Sequence, residues 1–80
     1  MGLDDQLEAV NDRESFLVFA RALIADRRVG QGWENDSIEH FLEAATAWAD
    51  DSEFGDRQGL KDASPWKRFA TFLYCGKIYE

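Results

Sequence analysis

With 80 residues, a net charge of −7 and one cysteine, the chain has the length of a single small domain and cannot form an intrachain disulfide, a two-thiol redox centre or a cysteine-rich zinc site. So small a domain needs a dense core, and its eleven aromatic residues supply the apolar area. The opening MGLDDQLEAV has neither the basic flank nor the apolar run of a secretory signal, and no stretch has the length of a membrane span, so a soluble cytoplasmic chain is expected. Gly2 is not read as a myristoylation site, because Gln6 stands where that motif requires Ser or Thr.

The charge is unevenly placed. Between Val29 and Asp56 stand eight acids, Glu34, Asp36, Glu39, Glu43, Asp50, Asp51, Glu53 and Asp56, with no Lys or Arg, while the rest of the chain nearly balances. Such a field repels nucleic-acid phosphates and anionic membrane, and it attracts a basic protein surface.

Leu3, Leu7 and Val10, four and three apart, predict a short N-terminal helical turn. Asn11, three before Glu14, has the spacing of a capping box and opens a second helix at about residues 12–28, with Phe16, Leu17, Ala20, Leu23 and Ile24 on one face and Phe19 widening it. Arg27 and Arg28 suit the negative end of that helix, and Gly30 can end it with a positive φ. The short connection from Val29 to Asn35 makes the helices on either side neighbours, most simply an antiparallel pair.

The central helix has the clearest period. Ile38, Phe41, Leu42, Ala45, Trp48 and Ala49 recur at spacings of three and four, so one stripe must be buried against something. Asn35 or Asp36 is the expected cap, Asp36 and Glu39 having capping-box spacing, and Trp33 lies five residues before Ile38, the separation of a hydrophobic staple. After Trp48 the pattern dissolves into DDSEFGDRQGLKDA, read as a loop with one helical turn around residues 52–54. Ser64 as cap and Pro65 at the first helical position then start the last helix. Its two apolar stripes, Trp66, Phe69, Ala70, Leu73 and Lys77 beside Phe72, Cys75 and Tyr79, place it centrally or give it a second partner. The prediction is an all-α domain over residues 1–80, a small bundle of three main helices with a short N-terminal one.

The succession GWENDSIEHFLEAATAWADD, a loop, then SPWKRFATFLYCGKIYE resembles a family of small uncharacterised bacterial domains. In that family a Gly-Trp-Glu-Asn lead-in precedes an aromatic-Leu-Glu helix, and a Trp-containing last helix ends in Tyr-Glu. The likeness covers residues 11–80, and Trp33-Glu34-Asn35 is its most specific part. It implies a fold, and through the company such domains keep it implies an accessory or immunity-type role, by analogy.

Chemistry-bearing residues are few. His40 shares a helix face with Asp36 and Glu43, which would make an open metal site, and Cys75 with His40 would make a thiol and base; a lone cysteine on an apolar stripe is ordinarily just buried. No phosphate-binding loop, dinucleotide fingerprint, nucleophile elbow or metalloprotease motif is present. Trp48, Trp66 and Phe69 fall on core stripes, whereas Trp33 and Phe54 fall outside them and become interface anchors if exposed. Glu39 and Glu43 are like charges four apart, and Asp50 and Asp51 stand where the helix dipole disfavours anions. The reading is a non-catalytic interaction domain with no cofactor, presenting the eight acids with Trp33 or Phe54 as anchor to a basic protein, an immunity or regulatory partner being one form. The alternatives are a small metal or thiol enzyme using His40 or Cys75 and a self-associating structural module.

Overall fold

The computed structural model describes residues 2–30 and 32–79. The fold is all-α: α1 (Leu3–Glu8), α2 (Arg13–Val29), α3 (Ile38–Ser52) and α4 (Pro65–Ile78), with a 3-10 turn at Asp56–Gln58 and no strand among the described residues. None of these helices is long and apolar enough to cross a membrane.

Local chemistry sets the helix ends, in two places differently from the expected caps. At α2 the cap is Asp12 rather than Asn11. Its carboxylate accepts from the Ser15 N–H at 2.8 Å, and the Ser15 hydroxyl accepts from the Asp12 N–H at 3.1 Å, so a serine closes the box and Glu14 turns to Arg13 at the surface. At α3 the cap is Ser37, which accepts from the His40 N–H at 3.1 Å, not Asn35 or Asp36. Asn35 is committed elsewhere, donating from its side-chain amide to the carbonyls of Gly76 at 3.2 Å and Tyr79 at 2.9 Å. Gly30, at φ 82°, ends α2, and Ser64 with Pro65 starts α4, both as the sequence predicts.

The helices that the short connection joins are not a packed pair. No Cα of α2 lies within 8 Å of a Cα of α3; both pack on α4, which also meets α1. The cause is the connection itself. Its Glu34 and Asn35 N–H groups donate to the Lys77 carbonyl at 3.1 and 3.3 Å, so the segment satisfies carbonyls that the last turn of α4 leaves without a helical partner and holds that turn between its neighbours. α4 is thus the central helix.

One side of the core joins Val10, Phe19, Leu23 and Ala70, with Leu3, Leu7, Leu73 and Tyr74 packed around them. α1 is tied there by the Tyr74 hydroxyl, which donates to Asp4 at 2.5 Å. On the other side Ala44, Ala45 and Trp48 bring α3 onto α4. Trp48 is 1% exposed, and its indole N–H donates to Gln58 at 2.7 Å, so both its apolar body and its one polar atom are accommodated. Phe41 packs over Gly76: a Cβ there would stand 2.7 Å from its ring, so the absence of a side chain at Gly76 is what admits the ring.

Residues 52–54 do not form the expected helical turn. Ser52 is the last residue of α3, and Glu53, Phe54 and Gly55 follow with φ of 53°, 56° and 92°. Two non-glycine residues in the left-handed region cost about 1–2 kcal/mol each. The Ser52 hydroxyl offsets part of this by accepting from the Gly55 N–H at 2.9 Å while donating to the Trp48 carbonyl at 2.6 Å. The reversal lays Phe54 against Trp48 and Phe72.

Two substitutions test this packing by urea denaturation. Trp48→Ala should lower stability by about 3–5 kcal/mol, the usual loss for a buried large aromatic. Gly76→Ala should also destabilise: the helix gains about 1 kcal/mol from alanine, but the added methyl collides with the Phe41 ring, and overpacking costs about 1–3 kcal/mol. A Gly76→Ala chain as stable as wild type would mean that Phe41 has room to move aside.

Candidate interaction surface

Trp33 organises the end of the molecule where α2, α3 and α4 meet. Its indole N–H donates to the Asp26 carboxylate at 2.8 Å, and Lys77 of α4 pairs with the same carboxylate oxygen at 2.7 Å. The Arg27 guanidinium and the Lys77 ammonium stand 5.6 and 5.8 Å from the ring centroid, distances at which the ring face attracts a cation. The Phe41 ring stacks beside it at 6.1 Å. Trp33 is half-buried, so the staple position predicted from sequence becomes a fixed platform rather than a free anchor.

This platform is the floor of a cleft between α2 and α3. On the α2 side it is lined by Leu23, Ile24, Arg27 and Arg28, on the α3 side by Asp36, Ser37, Ile38 and Leu42, in two adjoining parts of about 280 and 380 Å³. Its walls are apolar side chains left in water. Ile24 is 54% exposed, Leu42 51% and Ile38 79%, although the sequence pattern assigns all three to buried stripes. The reason is geometric: the α3 stripe is broad, and α4 covers only the half that carries Phe41, Ala45 and Trp48.

Aromatic rings extend the surface along α4. Phe69, Phe72 and Gly76 share one helical stripe. A run of ring contacts at 5.4–5.7 Å joins Trp66 to Phe16, Phe16 to Phe69, Phe69 to Phe72 and Phe72 to Phe54. Trp66 and Phe69, expected in the core, are 40% and 46% exposed: the Phe16 ring of α2 contacts both but leaves them partly in solvent.

The acids divide into two groups. Asp51 accepts from the Tyr79 hydroxyl at 2.6 Å, Glu53 pairs with Arg57 at 2.8 Å, and Asp56 pairs with Arg68, which also reaches the Phe54 carbonyl. These three hold the C-terminal end of α3 and the loop in place. Glu34, Asp36, Glu39, Glu43 and Asp50 are exposed and form no ion pair among the described residues. Glu43 and Asp50 flank a shallow surface that begins at Leu42, so the acidic rim adjoins the apolar wall. Across the cleft, Arg21, Arg27 and Arg28 are exposed and likewise without an ion pair among the described residues. Arg27 and Arg28, which suit the C-terminal end of α2, thus also line the cleft, a role that their spacing alone does not signal.

His40 is exposed beside Asn35, Glu43 and Tyr79 in a shallow pocket, and no cluster of three metal-ligating side chains occurs among the described residues. Cys75 is half-buried, and burial pushes its thiol up to about 11, so it stays protonated at neutral pH.

The Trp33 platform has a pH signature. The hydrogen bond from Lys77 holds the Asp26 carboxyl below its ordinary 3.8, the Trp33 N–H adding to the effect and burial opposing it. A carboxyl whose pKa is lower folded than unfolded stabilises the fold above its unfolded pKa, and that contribution is lost as the pH falls through the folded value. Asp26→Asn keeps an acceptor for the indole but removes the charge. The variant should be less stable than wild type at pH 7, and the difference should close as the pH falls below 3.8; a difference that persists in acid would assign the loss to packing.

No curated protein and no solved structure matches the chain. The model of one family of unknown function, DUF7660, matches residues 12–80, a span that takes in α2, α3 and α4, the Trp33 platform and both walls of the cleft. The chain belongs to the DUF7660 family.

Proposed function

We propose that the chain is a non-catalytic protein-interaction domain whose α3, with the adjoining wall of the cleft, receives a basic segment of a partner protein, an immunity or regulatory partner being one concrete form. The observation that supports this reading is the uncovered edge of α3. Ile38 and Leu42 stand in solvent beside Glu39, Glu43 and Asp50, none of which has an ion-pair partner among the described residues. An apolar centre with a charged rim is the usual anatomy of a protein interface: burial of the centre supplies affinity, and the rim supplies on-rate and selectivity.

Phe54, an anchor candidate from the sequence, is 37% exposed, and Trp33, the other, is half-buried. Leu42 and Ile38 are the side chains free to enter a partner. Trp33 and Phe41 form the floor against which an incoming side chain would rest, and Phe54 is engaged with Trp48 and Phe72. Of the eight acids, Glu34, Asp36, Glu39, Glu43 and Asp50 supply the field, since Asp51, Glu53 and Asp56 have intramolecular partners. The raised pKa of Cys75 argues against a thiolate nucleophile, and the exposed His40 side chain has no hydrogen-bond partner among the described residues of the kind that orients a general base.

Charge-neutral variants separate function from stability. Replacing Glu39 and Glu43 together with Gln removes a like-charge pair four residues apart, so stability should stay level or rise by a few tenths of a kcal/mol. A basic partner recovered by wild type at low salt should associate more slowly with this double variant, most clearly where the Debye length exceeds about 10 Å, and should be lost with Leu42→Asp. If both variants bind the recovered partner at the wild-type rate in low salt, α3 is a solvated surface and the reading is wrong.

A further inference from the structure

The two walls of the cleft carry opposite charge. On α2, exposed Ile24 lies between Arg21, three residues before it, and Arg28, four residues after it, with Arg27 at the mouth beside Trp33. On α3, exposed Leu42 follows Glu39 by three residues and adjoins Glu43, with Asp50 further along the same surface. No ion pair joins the two walls among the described residues; the one polar contact across them is the Arg27 guanidinium donating to the Asp36 carbonyl at 3.1 Å. Between them lies an apolar strip formed by Trp33 and Phe41.

An occupant of a single sign of charge complements only one wall. A basic segment uses the α3 wall and leaves the α2 arginines without a partner, and an acidic one uses the α2 wall alone. A surface with a basic flank, an apolar centre and an acidic flank has one natural complement of the same make: itself, turned over. Two-fold association needs a self-complementary patch. With the axis running along the cleft, the basic wall of each copy lies over the acidic wall of the other, and the apolar strips meet.

We infer that the cleft between α2 and α3 is the seat of a second copy of this chain, joined as a two-fold dimer through Ile24, Ile38 and Leu42 and held in register by Arg21 and Arg28 of each copy against Glu39 and Glu43 of the other. The inference goes beyond the basic-partner reading and does not rest on it. The two share the α3 wall, so a basic partner and a second copy compete for it.

The test needs only the purified chain. Sedimentation equilibrium from micromolar to several hundred micromolar should show a reversible monomer–dimer equilibrium, and Leu42→Asp should reduce the chain to monomer. Two charge-reversal variants then probe the register: Arg21→Glu with Arg28→Glu on α2, and Glu39→Lys with Glu43→Lys on α3. All four positions are exposed, and the replacements are good helix formers, so circular dichroism should match wild type, with melting slightly lower because Arg28→Glu and Glu39→Lys oppose the dipoles of their helices. Each variant alone faces like charges across both halves of the dimer and should self-associate at least about tenfold more weakly than wild type. An equimolar mixture pairs Glu on α2 with Lys on α3 in one half and leaves the native pairing in the other, so dimer should return. A wild-type chain that stays monomeric at several hundred micromolar overturns the inference. So does dimerisation that persists with Leu42→Asp, or a mixture of the two charge variants no more associated than either alone. Since no partner protein is present, these outcomes are independent of whether α3 binds a basic protein.

Discussion

The arrangement depends on how the segment 33–35 grips the last turn of α4. One carboxylate, Asp26, takes both the Trp33 indole N–H and the Lys77 ammonium, while the Glu34 and Asn35 N–H groups and the Asn35 side chain take carbonyls of Gly76, Lys77 and Tyr79. A helix C-terminus normally gives those carbonyls to water or to a glycine cap. Here another part of the chain provides the donors. That substitution draws α4 in between α2 and α3 and so opens the cleft. The Trp-Glu-Asn sequence is therefore a fold determinant in the first place, and it shapes the interaction surface by consequence.

Most of the helical layout was legible in the sequence, because period, punctuation and helix ends are local properties. The Ser64-Pro65 start, the Gly30 stop and the burial of Trp48 all follow from spacings that any reader of the chain can count. What was not legible is what the long-range hydrogen bonds decide. Asn35 looked like a cap for the helix it precedes, yet it serves a helix more than forty residues away. The short link between α2 and α3 looked like that of a helical hairpin, and nothing local announces that α4 will lie between them. The left-handed run at Glu53 and Phe54 is similar, since aromatic contacts with Trp48 and Phe72 outweigh the backbone preference.

The candidate surface was half legible. The acidic excess of the middle third is plain from the sequence, and it survives at Glu34, Asp36, Glu39, Glu43 and Asp50. Its C-terminal members are absorbed by Tyr79, Arg57 and Arg68, contacts that depend on the loop's path. Six apolar positions at helical spacing require burial, but they do not say in which molecule. Ile38 and Leu42 belong to the same stripe as Trp48, and only the position of α4 separates the residues satisfied within the chain from those left for an external surface.

The contact between Phe41 and Gly76 also governs the cleft from behind. Phe41 sits low because the helix beneath it has no side chain at the point of contact. Positions 41 and 76 therefore behave as one choice: a larger residue at 76 must be matched by a smaller one at 41, or else the ring is lifted. A lifted ring raises the floor that Trp33 and Phe41 share and flattens the recess between Ile24 and Leu42, whereas a smaller residue at 41 over a filled 76 deepens it. The depth of the recess, and with it the size of side chain it admits, can thus be retuned in sequence by a residue that never reaches the surface.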